Sequence, residues 1–212
     1  MTTPYEGCLF HITHINNLAG IAGAGLWSDN AVVSSNTRIV EIGERDIKQR
    51  RRNRPVPVPP GGRVADYVPF YFAARSPMLF SIHKGNVPTY QGGQDEVVYL
   101  VTDTAAIVGH GLEFAFTDRN AATDFAEFGN DLDDIDDYVN WTLMKQKMWN
   151  NISSERDRRE RRMAEMLVRT HVPWSAFVEV ATRTDDVSRA AASALATVGA
   201  TTMVRVRPDW YF

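Results

Sequence analysis

Between Arg45 and Arg54, six of ten residues are lysine or arginine, and Pro55, Pro57, Pro59 and Pro60 follow at once. In a chain of formal net charge −3, so cationic a segment is either a solvated helix face or the holder of an anion, and the prolines would stiffen the backbone beside it. A second basic group, Arg156 to Arg162, runs up to Glu165. Glu165 opens the otherwise apolar stretch EMLVRT, where a carboxylate is costly to bury without a partner; this makes it a candidate catalytic acid. In CLFHITHI, His11 and Thr13 are two apart and so share one side of a strand, offering a ring nitrogen and a hydroxyl from an apolar element. A buried histidine satisfied by the backbone explains His11 equally well. Tyr71, in the aromatic DYVPFYFA, is either core or a flat face for an aromatic ligand.

The motifs that are missing narrow the chemistry. The sequence has no GxxxxGK[ST], no GxGxxG after a strand, no HExxH and no GxSxG, which removes the usual phosphate loop, zinc protease and serine hydrolase readings. The five histidines are scattered, and the spacing of His11 and His14 puts them on opposite faces of a strand, away from a joint metal site. Cys8 is the sole cysteine, so one chain can build neither a disulfide framework nor a cysteine zinc site, and Cys8 reads as a small apolar residue.

The elements that must position these residues follow from periodicity. Strand patterns cover CLFHITHI, DYVPFYFA, EVVYLVT, LEFAFTD, AEMLVRT, VEVAT and MVRVRP. Helix patterns lie between them: the segment after THINN with Gly23 and Gly25 near its end, a short one around Glu44 to Arg52, SPMLFSIHKGN with Ser76 as N-cap and Pro77 first, TAAIVGHGL, and Val187 to Val198. Residues 120–162 read as helical and carry much of the charge, acidic in DLDDIDD and basic in RDRRERR. The expectation is a single domain over 1–212, α+β in class, with a mixed central sheet, peripheral helices and a helical insert at about 120–162. The start, MTTPYEGCLF, lacks the basic and apolar regions of a signal peptide, and no window approaches ~18 apolar residues, so a cytoplasmic protein without membrane contact is expected.

FHITHINNLAGI, the basic run before VPPGG, DYVPFYFAARSPMLFSIHKGN, YQGGQ, FTDRN and AEMLVRTHVPW together closely resemble the DNA ADP-ribosyltransferase toxins of the DarT family, from about Leu9 to the final RPDWYF. The resemblance implies a reduced version of the fold shared with poly(ADP-ribose) polymerases. It also implies cleavage of NAD+ as co-substrate, with transfer of ADP-ribose to a base in single-stranded DNA, most closely thymidine. It places His11, Ile12 and Thr13 on the nicotinamide and its ribose, Gly20 and Trp27 in the same pocket, Arg51 on the essential arginine and Glu165 on the catalytic glutamate; Tyr71, from its own aromatic strand, is expected on the same co-substrate. Some relatives carry histidine where this chain has Asn120, so that ring is not carried over. The implied partner is a DarG-like macrodomain antitoxin that removes the ADP-ribose.

For DNA, Lys48, Arg54, Arg75, Lys145, Lys147 and the Arg156 to Arg162 group are expected on phosphates, and Trp141, Trp149 and Phe128 on splayed bases. Transfer to protein or RNA, and an inactive nucleic-acid-binding module, are the competing readings.

Overall fold

The computed structural model describes residues 7–212; most of MTTPYEGCLF, on which the reading of the start rests, lies outside them. Among the described residues ten strands form: β1 Cys8–His14, β2 Leu26–Trp27, β3 Tyr67–Tyr71, β4 Val97–Asp103, β5 Phe114–Thr117, β6 Phe128–Gly129, β7 Glu165–Arg169, β8 His171–Val172, β9 Glu179–Thr182 and β10 Met203–Val206. Eight of them make one sheet in the order β10-β9-β4-β1-β3-β7-β5-β6, while β2 and β8 pair as a separate ribbon. The β9–β10 pair is parallel and the other pairs are antiparallel, so the sheet is mixed, as expected.

The helices are α1 Leu18–Ala24, α2 Asp29–Ser34, α3 Arg45–Asn53, α4 Pro77–His83, α5 Thr104–Gly109, α6 Ile135–Tyr138, α7 Trp141–Met144, α8 Arg158–Arg161 and α9 Asp185–Ala196. Local chemistry sets their ends. Ser76 accepts from the Leu79 amide ahead of Pro77, and Asp103 and Thr184 cap α5 and α9 in the same way; each satisfies an amide that the first turn leaves open. Gly25 ends α1 at φ 81°, and a Cβ there would stand 2.0 Å from His171 Nε2, so only glycine fits.

The sheet is built in two halves. β1 and β4 match through seven register pairs, but β1 and β3 share a single one, Phe10 with Tyr71. Register partners share a face, and Tyr71 is also opposite Glu165 on β7. On one face a continuous apolar core gathers Leu9, Phe70, Leu100, Phe116, Met166 and Val180. The other face holds two smaller cores, one around Phe10, Ile12, Leu79 and Tyr99 and one around Val56, Tyr67, Leu167 and Phe128. Tyr71 and Glu165 stand where that apolar lining is interrupted, at the weak join between the halves.

The segment 120–162 departs from its helical reading. It holds three single-turn α-helices, a short 3-10 turn and strand β6, with irregular chain between. Asp131 and Asn140 spend their side chains capping single turns, as short polar side chains do in competition with helix. Trp149 is buried in this region: its Nε1–H donates to the Arg75 carbonyl (3.0 Å), and its ring meets Phe80 and Phe212 edge-on. It is therefore a packing residue and not an open platform for bases; Phe128 is buried likewise. Among the described residues no helix is long and apolar enough to cross a membrane. Trp149→Ala should destabilise the fold by about 3–5 kcal/mol, the usual cost of truncating a large buried ring, measured by urea unfolding; a loss confined to DNA affinity would contradict the packing role.

Candidate active site

The two residues singled out for charge meet. Arg51 Nη1 donates to both Glu165 oxygens, at 2.7 and 3.1 Å, and the side chains are 13% and 3% exposed. Burying either charge alone would be costly, and removing one partner of such a pair typically costs about 3–5 kcal/mol. The pair closes a long loop in sequence: α3 carries Arg51 in and β7 begins at Glu165. The neighbouring arginines go elsewhere, Arg52 to Asp29 (2.9 Å) and Arg50 to the exposed side of α3. Arg51 Nη2 is buried with no protein partner, which leaves one charge-assisted donor for a ligand anion or carbonyl.

Thr117, at the end of β5, fixes Glu165 from behind. Its hydroxyl accepts the Glu165 amide (3.2 Å) and donates to the Arg119 carbonyl (2.6 Å). No sequence motif singled out Thr117, because its role depends on a neighbour 48 residues away. Tyr71 faces the pair from β3. Burial, and then the Glu165 carboxylate, push its phenol well above the ordinary range, so Tyr71 serves as a neutral hydroxyl and ring.

His11 Nδ1 lies 2.9 Å from the Pro69 carbonyl, so it must carry the proton in that bond. Burial lowers the ring's pKa to about 4, the Pro69 bond partly opposes this, and the Arg51 charge lowers it further. At neutral pH His11 is a neutral imidazole whose Nε2 offers a lone pair. Thr13 is buried and its hydroxyl accepts from Asn17 Nδ2 (3.1 Å), which ties the strand to the chain near Val40 through the same carboxamide. Ile12 points to the other side of β1 from His11 and Thr13, the side that also carries Tyr71 and Glu165, and packs in the apolar cluster around Phe10, Leu79 and Tyr99.

On α1, Gly20 is exposed and a Cβ built there meets no protein atom within 4 Å. Protein packing does not require this glycine; close approach of a ligand would. Trp27 is 44% exposed, donates Nε1–H to the Ala24 carbonyl (3.0 Å) and stacks on His171 with ring centroids 4.1 Å apart. His171 Nε2 is 3.0 Å from the same carbonyl, so a histidine that the sequence left among the scattered ones holds Trp27 in place through the β2–β8 ribbon.

One family model, described as "ssDNA thymidine ADP-ribosyltransferase, DarT", matches residues 10–212. The chain belongs to the DarT family. A DNA ADP-ribosyl transferase of Thermus sp. strain 2.9 is 36% identical over 214 residues, covering 100% of this chain and 99% of the relative. One from Mycobacterium tuberculosis strain H37Rv is 32% identical, covering 99% and 90%. The fold is similar to Thermus sp. 2.9 DarT in complex with ADP-ribosylated ssDNA, with a TM-score of 0.91, 35% identity and 100% and 99% of the two chains covered. It is also similar to the same Thermus protein in complex with NAD+, at 0.87 and 34% with both chains covered in full.

The cations expected to meet DNA in this DarT-family chain divide. Lys48 is held between the carboxylates of Asp29 and Glu41, so its charge is already compensated. Arg54 donates to the Asp124 carbonyl (3.1 Å) and lies over the Phe128 ring. Arg75 turns inward to the Tyr211 carbonyl with its guanidinium 4.2 Å from the centre of the Phe212 ring. In the Arg156 to Arg162 group, Arg158 and Arg161 pair with Glu155. Arg162 is buried, bonded to the Ala74 carbonyl (2.6 Å), and burial lowers its pKa to about 10. Lys145 and Lys147 are exposed.

Two outcomes test this geometry. Gly20→Ala should raise thermal stability slightly, since glycine within a helix costs about 0.5–1 kcal/mol relative to alanine, while raising the KM for NAD+; an unchanged KM would show that nothing approaches there. His11 is neutral in the fold down to about pH 4, whereas an unfolded histidine takes its proton near ~6.5. Its contribution to stability is therefore full above ~6.5 and is lost as pH falls toward about 4. Histidine NMR should find His11 protonated at Nδ1 only and titrating near 4; a midpoint near 6.5 would overturn the assignment.

Proposed function

We propose that this chain transfers ADP-ribose from NAD+ to thymidine in single-stranded DNA. The bond between nicotinamide and the ribose C1′ breaks, a bond from C1′ to the thymine ring nitrogen N3 forms, and nicotinamide and the N3 proton are released. The observation that carries the reading is the Arg51–Glu165 pair, buried at the join of the two half-sheets with one Arg51 donor unspent. As the bond to nicotinamide lengthens, positive charge develops on the ribose as in glycoside cleavage. Glu165 holds the ribose hydroxyl and stabilises that cation, an electrostatic role strengthened by exclusion of water. Arg51 stays protonated and stabilises the thymine as its N3 proton leaves to Glu165 or water. Tyr71 and neutral His11 bound the nicotinamide side, where a protonated imidazole would repel the cationic ring.

Both substrates occur in the cytoplasm, and an enzyme that modifies DNA there must be restrained. We assign the chain as the toxin of a pair whose macrodomain antitoxin strips the modification. This pairing rests on the family resemblance; the likeness to Thermosipho africanus DarTG in complex with ADP-ribose, at a TM-score of 0.79 and 17% identity, covering 97% of this chain and 51% of that one, is one of fold.

Glu165→Gln keeps an acceptor for Arg51 but leaves its buried charge unpaired, so the fold should lose part of the ~3–5 kcal/mol that breaking such a pair costs, while transfer per folded molecule should fall by about 10²- to 10³-fold. Arg51→Lys should not restore an Arg51→Ala loss, because an ammonium lacks the planar fork. The measurement is mass spectrometry of a thymine-containing oligonucleotide after incubation with NAD+. Near wild-type transfer by Glu165→Gln, or modification of protein or RNA in place of the oligonucleotide, would overturn the proposal.

A further inference from the structure

The aromatic side chains expected to meet bases are otherwise engaged. Trp149 and Phe128 are buried, and Trp141 packs on Phe72 with its Nε1–H on Asp136 (2.6 Å). Phe125 is the opposite case: 82% exposed, more than any other large apolar side chain among the described residues. Its loop joins β5 to β6 and is firmly built. Asn120 accepts the Ala122 amide (2.9 Å) and its carbonyl takes the Thr123 hydroxyl (2.8 Å). Asp118 accepts the Glu127 amide through its side chain (2.9 Å), and Ala121, Ala122 and Ala126 are buried. One exposed apolar ring is ordinary on a protein surface; Phe125 is a candidate contact because the loop that presents it is well ordered and tied to the reacting pair.

Both ends of this loop are fixed relative to the reacting pair. Thr117, just before it, bonds the Glu165 amide. Near its tip, Arg54, three residues along from Arg51, holds the carbonyl of Asp124, the residue before Phe125. Of the acids near Phe125, Asp118 pairs with Arg119 at 2.7 Å and Asp124 lies 3.6 Å from Arg54, while Glu127 is exposed.

We infer that Phe125 is a stacking platform for a base that flanks the target thymidine. The inference rests on the proposed transfer to single-stranded DNA and assigns it a subsite. An exposed ring takes any base by its flat face, so the contact tolerates sequence and contributes affinity of about 5- to 150-fold.

The test uses an oligonucleotide with one thymidine and an abasic residue stepped through the flanking positions. Affinity and single-turnover transfer are measured for wild type, Phe125→Ala and Phe125→Trp. One abasic position should weaken wild-type binding by about that factor. Phe125→Ala should lose as much on the intact oligonucleotide and nothing further at that position, and Phe125→Trp should bind as wild type does. Turnover at saturating oligonucleotide should be unchanged. Binding of the intact oligonucleotide by Phe125→Ala within about twofold of wild type would overturn the inference, as would losses that simply multiply at every position. Phe125→Ala that binds DNA normally but loses affinity for the antitoxin would assign the ring to that partner and overturn it equally. Failure of the wild type to modify any oligonucleotide would count against the transfer reading, while the binding comparison would still decide the role of Phe125.

Discussion

The structure turns on the cost of placing a carboxylate and a guanidinium on a sheet face that is otherwise apolar. Glu165 and Arg51 are tolerable there only together, and several features serve to bring them together. Helix α3 delivers the arginine from one side and the prolines that follow stiffen the chain beside it. Thr117 holds the backbone at Glu165, and the single register pair between β1 and β3 leaves the halves of the sheet weakly joined at that point.

The same pair sets the electrostatics around it. Arg51 adds to burial in keeping His11 neutral, and Glu165 adds to burial in keeping Tyr71 protonated. A site with a balanced ion pair, a neutral imidazole and a neutral phenol is suited to the proposed substrate, whose one positive charge starts on the nicotinamide ring and passes to the ribose as the bond between them breaks. Added positive charge would oppose it in either place.

The basic runs contribute less to the surface than their density in sequence suggests. Lys48, Arg52, Arg158 and Arg161 are paired with carboxylates, and Arg75 and Arg162 with backbone carbonyls. Arg50, Lys145 and Lys147 stay exposed, so the cationic surface is narrower than the runs suggest.

The strand periodicity in the sequence was enough to locate the long strands and α9, because a half-buried strand or helix writes its burial into residue order. It also marked Glu165, since one acid in an apolar strand conflicts with its surroundings unless paired, and it marked the arginine run as a whole. The resemblance to known toxins picked out Arg51 within that run. The partner of each cation was beyond reach, because Lys48 with Asp29 and Arg51 with Glu165 are decided by how α3 packs and not by residue spacing. The insert misled for a related reason: its helical pattern is real but its runs are too short to pay the cost of nucleation, so capping side chains and tertiary contacts shape it instead. Thr117 and His171 lie inside stretches that carry the resemblance, FTDRN and AEMLVRTHVPW, but residue order gave neither a role, and Phe125 had no signal. What each does depends on which side chain stands across the sheet, across the ribbon, or, for Phe125, on there being none, and only the folded chain settles that.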